Sequence, residues 1–167
     1  IGGSIEKVLE RNQILIPWLQ ELHQSGVHIA SNCTGSFFLA EAGLLDGKVA
    51  TTHWGYVDLF RKRYPEVILK PEQLLTTTGN LFCSGGGVAW FDLSLYLIEL
   101  YCGHEVAVEC SKAYVIDMQR DSQSAYSTLK GKKYHQDADI LKVQEWMETN
   151  YQKSISISEL ASQFGMS

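Results

Sequence analysis

The residues best placed to do chemistry are Ser31-Asn32-Cys33-Thr34-Gly35, where a cysteine stands between two small residues, each two positions away. An apolar run, Val27-His28-Ile29-Ala30, precedes it, and a helical pattern from Gly35 to Gly43 follows. That order is the layout of a nucleophile elbow. The sharp strand-to-helix turn needs small neighbours at Ser31 and Gly35 and lifts the Cys33 thiol above the carboxyl edge of a sheet. The N–H groups that open the next helix favour an anion there. A thiol nucleophile also needs a base, and the candidates are His23, His28, His53, His104 and His135. His53 follows the strand expected over Lys48 to Thr52, so it falls at a strand's carboxyl end, where open α/β sheets keep their sites. The other four fall on a helix end, inside a strand, after a helix cap and in a polar linker. The competing reading of Cys33 is a thiol packed as a small hydrophobe, the role expected of Cys83, Cys102 and Cys110.

Two glycine clusters add context. Gly2-Gly3 precedes the first helix and could turn its N–H groups toward the elbow thiol, as an oxyanion hole requires. Ser84-Gly85-Gly86-Gly87 leads into a helix N-terminus, where tight strand-to-helix packing is favoured over an anion site. At the other end, Ala161 lies four residues before Gly165. That spacing suits the first helix and turn of a helix-turn-helix, with Ser167 capping the recognition helix.

Elements that could position these residues follow from periodicity. Ile5, Val8, Leu9, Ile14, Leu15, Trp18, Leu19 and Leu22 share one helical face, with Ser4 as N-cap, a break possible at Pro17 and an end at Gly26. Trp54 to Tyr64 is amphipathic and stops at Pro65. Leu74 to Thr78 and Leu81 to Ser84 flank Gly79-Asn80 as a hairpin. Helices follow over Val88 to Cys102, capped by Gly103, and over about Glu105 to Met118. Strands alternating with helices predict an α/β fold with a parallel central sheet. Residues 122–136 are polar, with Lys130, Gly131, Lys132 and Lys133 in a row, and read as a linker. Two helices come after it. Ala138 to Asn150 is expected to bury Ile140, Leu141, Val143, Trp146 and Met147, and Ile157 to Phe164 opens with the capping box of Ser156 and Glu159.

Composition sets the class. The 167 residues are 45% hydrophobic and 20% charged, with fourteen Lys/Arg against nineteen Asp/Glu for a net charge of −5. This is the profile of a globular chain, and it argues against a surface basic throughout for nucleic acid or anionic lipid. No secretory signal or membrane span is legible, and with no CxxC pattern the four cysteines read as reduced thiols in a cytoplasmic protein, with no metal site.

The stretches IASNCTGSFFLAEAGLLDGKVATTHW and TTTGNLFCSGGGVAWFDLSLYLIE resemble the ThiJ/PfpI branch of the class I glutamine amidotransferase-like superfamily. With ILKVQEWMETNYQKSISISELASQFGMS added, the chain is similar to AraC/XylS-family transcriptional regulators that carry such a domain as their sensor. The resemblance implies a flavodoxin-like three-layer α/β/α sandwich whose N-terminal strands precede Ile1. A short all-α start of a helix-turn-helix domain follows it. The implied organisation is a partial sensor domain over residues 1–121, a linker over 122–136 and a truncated DNA-binding domain over 137–167. The implied partners are a small-molecule effector, DNA for the full-length protein and a second copy in a homodimer; no cofactor is implied. Ligand-binding positions are expected at Gly2, Gly3, Cys33, Thr34 and His53.

Enzymes of the superfamily often place a histidine directly after the cysteine, whereas Thr34 stands here. A Cys33–His53 pair is then the one candidate dyad, Cys33 as nucleophile and His53 as base. Three readings follow: a ligand sensor controlling a DNA-binding domain, a thiol enzyme acting on a carbonyl or amide, and a redox or electrophile sensor through Cys33. From Ala138 to Ser167 two lysines face four acidic residues, without the basic surface that phosphate contacts demand. These 167 residues are therefore expected not to retard an operator fragment in a gel-shift assay with salt controls.

Overall fold

Every residue of Leu81-Phe82-Cys83-Ser84 is buried, which requires cover on both faces of that strand. The computed structural model describes residues 4–118, 120, 122–124 and 137–166. In chain order the helices and strands of its first part are α1 (Ile5–Arg11), α2 (Leu15–Gln24), β1 (Ile29–Asn32), α3 (Ser36–Glu41), β2 (Val49–Ala50), α4 (Val57–Arg63), β3 (Ile68–Leu69), β4 (Leu75–Thr78), β5 (Leu81–Ser84), α5 (Ala89–Cys102) and α6 (His104–Tyr114). β5 is the middle strand of a three-stranded sheet, parallel to β1 and antiparallel to β4. Leu81 and Cys83 join Ile29 in a core with Ile5, Leu9, Leu19, Phe37 and Leu39 from α1, α2 and α3. Phe82 faces the other way, its ring 5.8 Å from that of Tyr96 on α5. Helices thus lie on both faces of the sheet, in the three layers expected.

A second sheet, β2 parallel to β3, is fastened to the first by Thr78, whose hydroxyl donates to the Val49 carbonyl at 3.1 Å. α4 packs on α3 through Phe37 and Phe60, ring centroids 4.8 Å apart. Burying such a side chain contributes roughly 1.5–3 kcal/mol. Arg63 forks onto Glu41 across the same helix pair, and burial together with that carboxylate holds the Tyr64 phenol above its ordinary range.

Several boundaries move for identifiable reasons. The first helical stretch breaks at Asn12, whose side-chain amide donates back to the Val8 carbonyl. Pro17 does not break it, because it falls in the first turn of α2, where its missing N–H has no helical partner to lose. β1 starts later than expected because Val27 donates to the Leu22 carbonyl, closing the end of α2 around Gly26 at φ +75°. The positive φ of the β4–β5 turn falls on Gly79 alone, the first central residue, as a type II′ turn requires. That hairpin adds an antiparallel strand to a sheet expected to be parallel. α6 stops at Tyr114, four residues early, where Val115 takes φ +56° and Ile116 donates to the Ser111 carbonyl. Of the three cysteines expected in the core, only Cys83 is buried. Cys102 belongs to the last turn of α5, exposed from Glu99 onward, and Cys110 is half-buried.

The contacts divide the chain into two units, 1–127 and 128–167. In the second, α7 (Ala138–Asn150) is capped by Asp137, which accepts from the Asp139 and Ile140 amides, and α8 (Ile157–Gln163) opens with the Ser156–Glu159 capping box. Gly165 ends α8 at φ +69°, with Met166 donating to the Ala161 carbonyl. Trp146 and Phe164 meet edge to face at 6.3 Å. No residue of α7 is buried: Ile140 is 40% and Met147 49% exposed, while Leu141, Val143 and Trp146 are half-buried. This corrects the expected burial, since two short helices offer too little surface to cover an apolar stripe. Residues 125–136, most of the expected linker, and Ser167 lie outside the described residues.

Burial pushes the Cys83 thiol up to about 11 from an ordinary value of 9.0. The native state keeps the proton while the unfolded chain loses it, so the contribution is full below pH 9 and is lost as pH rises toward 11. Chemical denaturation between pH 8 and 11 should show stability falling, and Cys83→Ala should flatten that fall while lowering stability at pH 8.

Candidate functional site

β1 and β5 run in parallel with Asn32 opposite Ser84, so both strands end at one level. The chain leaves β1 through a tight 3₁₀ turn, Cys33–Gly35, and leaves β5 through Gly85-Gly86-Gly87. The two exits touch: the Cys33 amide donates to the Gly85 carbonyl at 3.0 Å. Cys33 sits at φ +60°, in the left-handed region that costs an ordinary L-residue about 1–2 kcal/mol. This is the strained elbow that the sequence predicts.

The strain is held by buried hydroxyls. The Cys33 carbonyl lies 3.2 Å from the Thr52 hydroxyl and 3.1 Å from that of Ser36, and the two hydroxyls are 2.9 Å apart. Each hydroxyl has one hydrogen, which suffices if Thr52 donates to the carbonyl and Ser36 to Thr52. Asn32 and Ser84 are joined by a further bond at 2.9 Å. Gly35 has an ordinary φ, and a Cβ there would lie 3.5 Å from that of Ser31. That is ordinary van der Waals contact, so neither lack of room nor backbone freedom demands glycine at 35, which corrects the expected need for a small residue there.

His53 also adjoins the glycine turn. It caps the 3₁₀ turn Trp54–Tyr56, Nδ1 accepting the Gly55 amide at 2.8 Å, so the neutral ring carries its hydrogen on Nε2. The ring stacks on Trp54 at 5.0 Å. It also fills the place of a Gly86 side chain, for a Cβ there would lie 2.1 Å from His53 Cδ2. At Gly85 a Cβ would lie 2.3 Å from Oε1 of Gln123, and Gly87 takes φ +58°. The three glycines thus have three separate reasons, and packing accounts for the first two.

Gln123 was hidden in the expected linker, yet it is only 2% exposed. Its amide nitrogen donates to the carbonyls of Pro71 at 2.8 Å and Thr52 at 2.9 Å, and its oxygen accepts the Gly86 amide at 3.1 Å. His53, Trp54, Leu74, Gly86 to Ala89, Arg120 and Gln123 enclose a cavity of about 300 Å³. Arg120 reaches it from an ion pair with Asp92 on α5, 2.6 Å at the shortest contact.

The predicted residues therefore divide. Cys33 and His53 both adjoin the glycine turn, the Cys33 amide on the Gly85 carbonyl and the His53 ring against Gly86. Cys33 does not line the His53 cavity, and Thr34 is 3% exposed within the 3₁₀ turn. Gly2 and Gly3 lie outside the described residues. Sequence reasoning missed Thr52, Ser36, Arg120 and Gln123. The signal for the first two was a hydroxyl directly beside an apolar strand or elbow; Gln123 carried none.

Residues 1–100 match the DJ-1/PfpI family. The chain belongs to that family. Among its relatives, the HTH-type transcriptional regulator CdhR of Pseudomonas aeruginosa is 41% identical over 109 residues, 65% of this chain and 32% of that protein. The HTH-type transcriptional regulator GbdR of the same species is 29% identical over 161 residues, 96% of this chain and 43% of that protein. Isonitrile hydratase of Pseudomonas putida is 36% identical over 107 residues, 64% of this chain and 45% of that enzyme. A crystal structure of a candidate transcriptional regulator from Vibrio parahaemolyticus superposes with a TM-score of 0.60 at 30% identity, covering 68% of this chain and 59% of that one. The matches thus span between 32% and 45% of the length of these curated relatives.

Two substitutions test the geometry. Cys33→Gly should be more stable than Cys33→Ala by about 1 kcal/mol in denaturant melts, because only glycine takes φ +60° without strain. Gly86→Ala should cost about 1–3 kcal/mol, and most of that cost should vanish in a His53→Ala background, where the colliding ring is gone.

Proposed function

We propose that this chain is the sensing part of an AraC-type transcriptional regulator together with the start of its DNA-binding domain. On this reading residues 1–121 form the sensor, 122–136 the linker and 137–167 the opening of the helix-turn-helix domain. The observation that carries it is the GbdR relationship, which runs through 96% of the chain and so through both units. Isonitrile hydratase matches 64% of the chain.

The effector is a small molecule held in the cavity of His53, Trp54, Arg120 and Gln123, beside the Cys33 elbow. Its size suits a cavity of about 300 Å³, and the lining offers an aromatic wall and a guanidinium. The full-length protein acts on DNA in the cytoplasm as a homodimer. Supporting self-association are Trp90, Leu100, Tyr101 and Tyr114, exposed on α5 and α6. Among the described residues no helix is long and apolar enough to cross a membrane.

A thiol enzyme is the second reading, favoured by the strained Cys33 elbow. Against it stands His53, whose Nδ1 lone pair is committed to the Gly55 amide, leaving Nε2 with a hydrogen instead of a lone pair to take the thiol proton. Thermal-shift screening of this chain with nitrogenous metabolites should give a raised Tm for a true effector. Trp54→Ala should abolish the shift, and Cys33→Ala should weaken it or leave it. Turnover of a carbonyl, amide or isonitrile substrate that Cys33→Ala abolishes would replace the sensor reading with the enzyme.

A further inference from the structure

The chain between α6 and the second unit does not simply leave the first unit; it returns to the His53 cavity. Ser122 pairs with Gln73 in an isolated antiparallel bridge, the Gln123 amide donates to the Glu72 carbonyl at 3.0 Å, and the Ser122 hydroxyl donates to the same carbonyl. From this strap Arg120 and Gln123 both face the cavity. Gln123 does more than line it. Its one side chain joins three separate segments: the end of β2 through Thr52, the approach to β4 through Pro71, and the glycine turn through Gly86. Thr52 also holds the Cys33 carbonyl, and Gly86 bears the His53 ring.

We infer that residues 120 and 122–124 are a latch, with the Gln123 amide as its bolt, coupling the state of the His53 cavity to the release of the chain that leads into the second unit. The cavity is complete only while the strap is seated, so an occupant that uses this wall binds the seated state better and shifts the strap toward it. An unseated strap lengthens the tether to α7. By the same linkage, anything that frees the tether weakens binding in the cavity. The inference deepens the sensor reading and rests on it for its biological use. The coupling itself is measurable without DNA or effector, so failure of operator binding by the full-length regulator would be a separate result.

The test works from both ends of the bolt. Gln123→Ala removes it from the strap side. Gly85→Ala expels it from the glycine-turn side, because the new Cβ would lie 2.3 Å from the Gln123 oxygen. Limited trypsin digestion of the 167-residue chain reads release of the strap as cleavage after Arg120, and cleavage after Arg63 on α4 reports global opening. Hydrogen exchange at the Gly86 and Gly55 amides reads the cavity side. Both variants are expected to speed cleavage after Arg120 roughly tenfold or more, with Arg63 unchanged. Both should also speed exchange at Gly86 and at Gly55, the amide bound to His53. Unchanged cleavage after Arg120 in both variants overturns the latch. So does a freed strap with unchanged exchange at Gly55, which would make the strap a local clasp. If either variant opens globally, Gln123→Asn decides, since it keeps the amide but is one methylene short of its partners.

Discussion

The site depends on one register: β1 beside β5, parallel, with Asn32 opposite Ser84. Parallel strands that end level send their chains out at the same place, and here the two exits are a left-handed cysteine and a run of three glycines. The backbone bond from Cys33 to Gly85 is the outcome of that level ending. A slip of one residue would turn Leu81 and Cys83 out of the core with Ile29 and bring in Phe82, which has its own partner in Tyr96. The hydrophobic pattern of two four-residue strands therefore locks the position of a polar site that it does not touch.

Around that junction the buried polar groups are satisfied by a few side chains with several partners each. Thr52 and Ser36 hold the strained carbonyl of Cys33, and Gln123 gathers two carbonyls and an amide that would otherwise be left without partners in the interior. A buried polar group without a partner costs about 1–3 kcal/mol, so these bonds define a single arrangement of the loops more than they add net stability. The His53 ring works by shape as well as by bonding. It caps one turn and leaves no room for a side chain on another. Cavity and glycine turn thus share a wall at Gly86 and Gly87, and the same turn reaches the elbow through Gly85.

Local pattern made much of this legible. The elbow was readable because a left-handed turn between a strand and a helix leaves its mark in adjacent residues: an apolar run before it, the small pair Ser31 and Gly35 around Cys33, and a helical pattern after it. The hairpin, the caps at Gly26, Gly103 and Gly165 and the Ser156–Glu159 box were readable for the same reason, each being a bond or a φ angle settled within about five residues. β2 is shorter than the strand expected over Lys48 to Thr52, and β3 was not foreseen, because two residues carry too little periodicity to mark a strand. Cys102 and Cys110 were assigned to the core by residue type, but exposure depends on how far α5 overhangs the sheet.

The sequence by itself determined the α/β class, the elbow at Cys33, the place of His53 at a strand end and the helical start of a second unit, all of them consequences of contacts between near neighbours. Tertiary structure alone decided that Cys33 and His53 meet the glycine turn at different residues, Gly85 and Gly86, and that His53 spends its Nδ1 lone pair on Gly55. It alone decided that a glutamine some seventy residues beyond Thr52 completes the cavity wall. Those facts rest on bonds between segments far apart in the chain, and a polar residue in a polar stretch shows no sign of such a bond until the fold brings its partners to it.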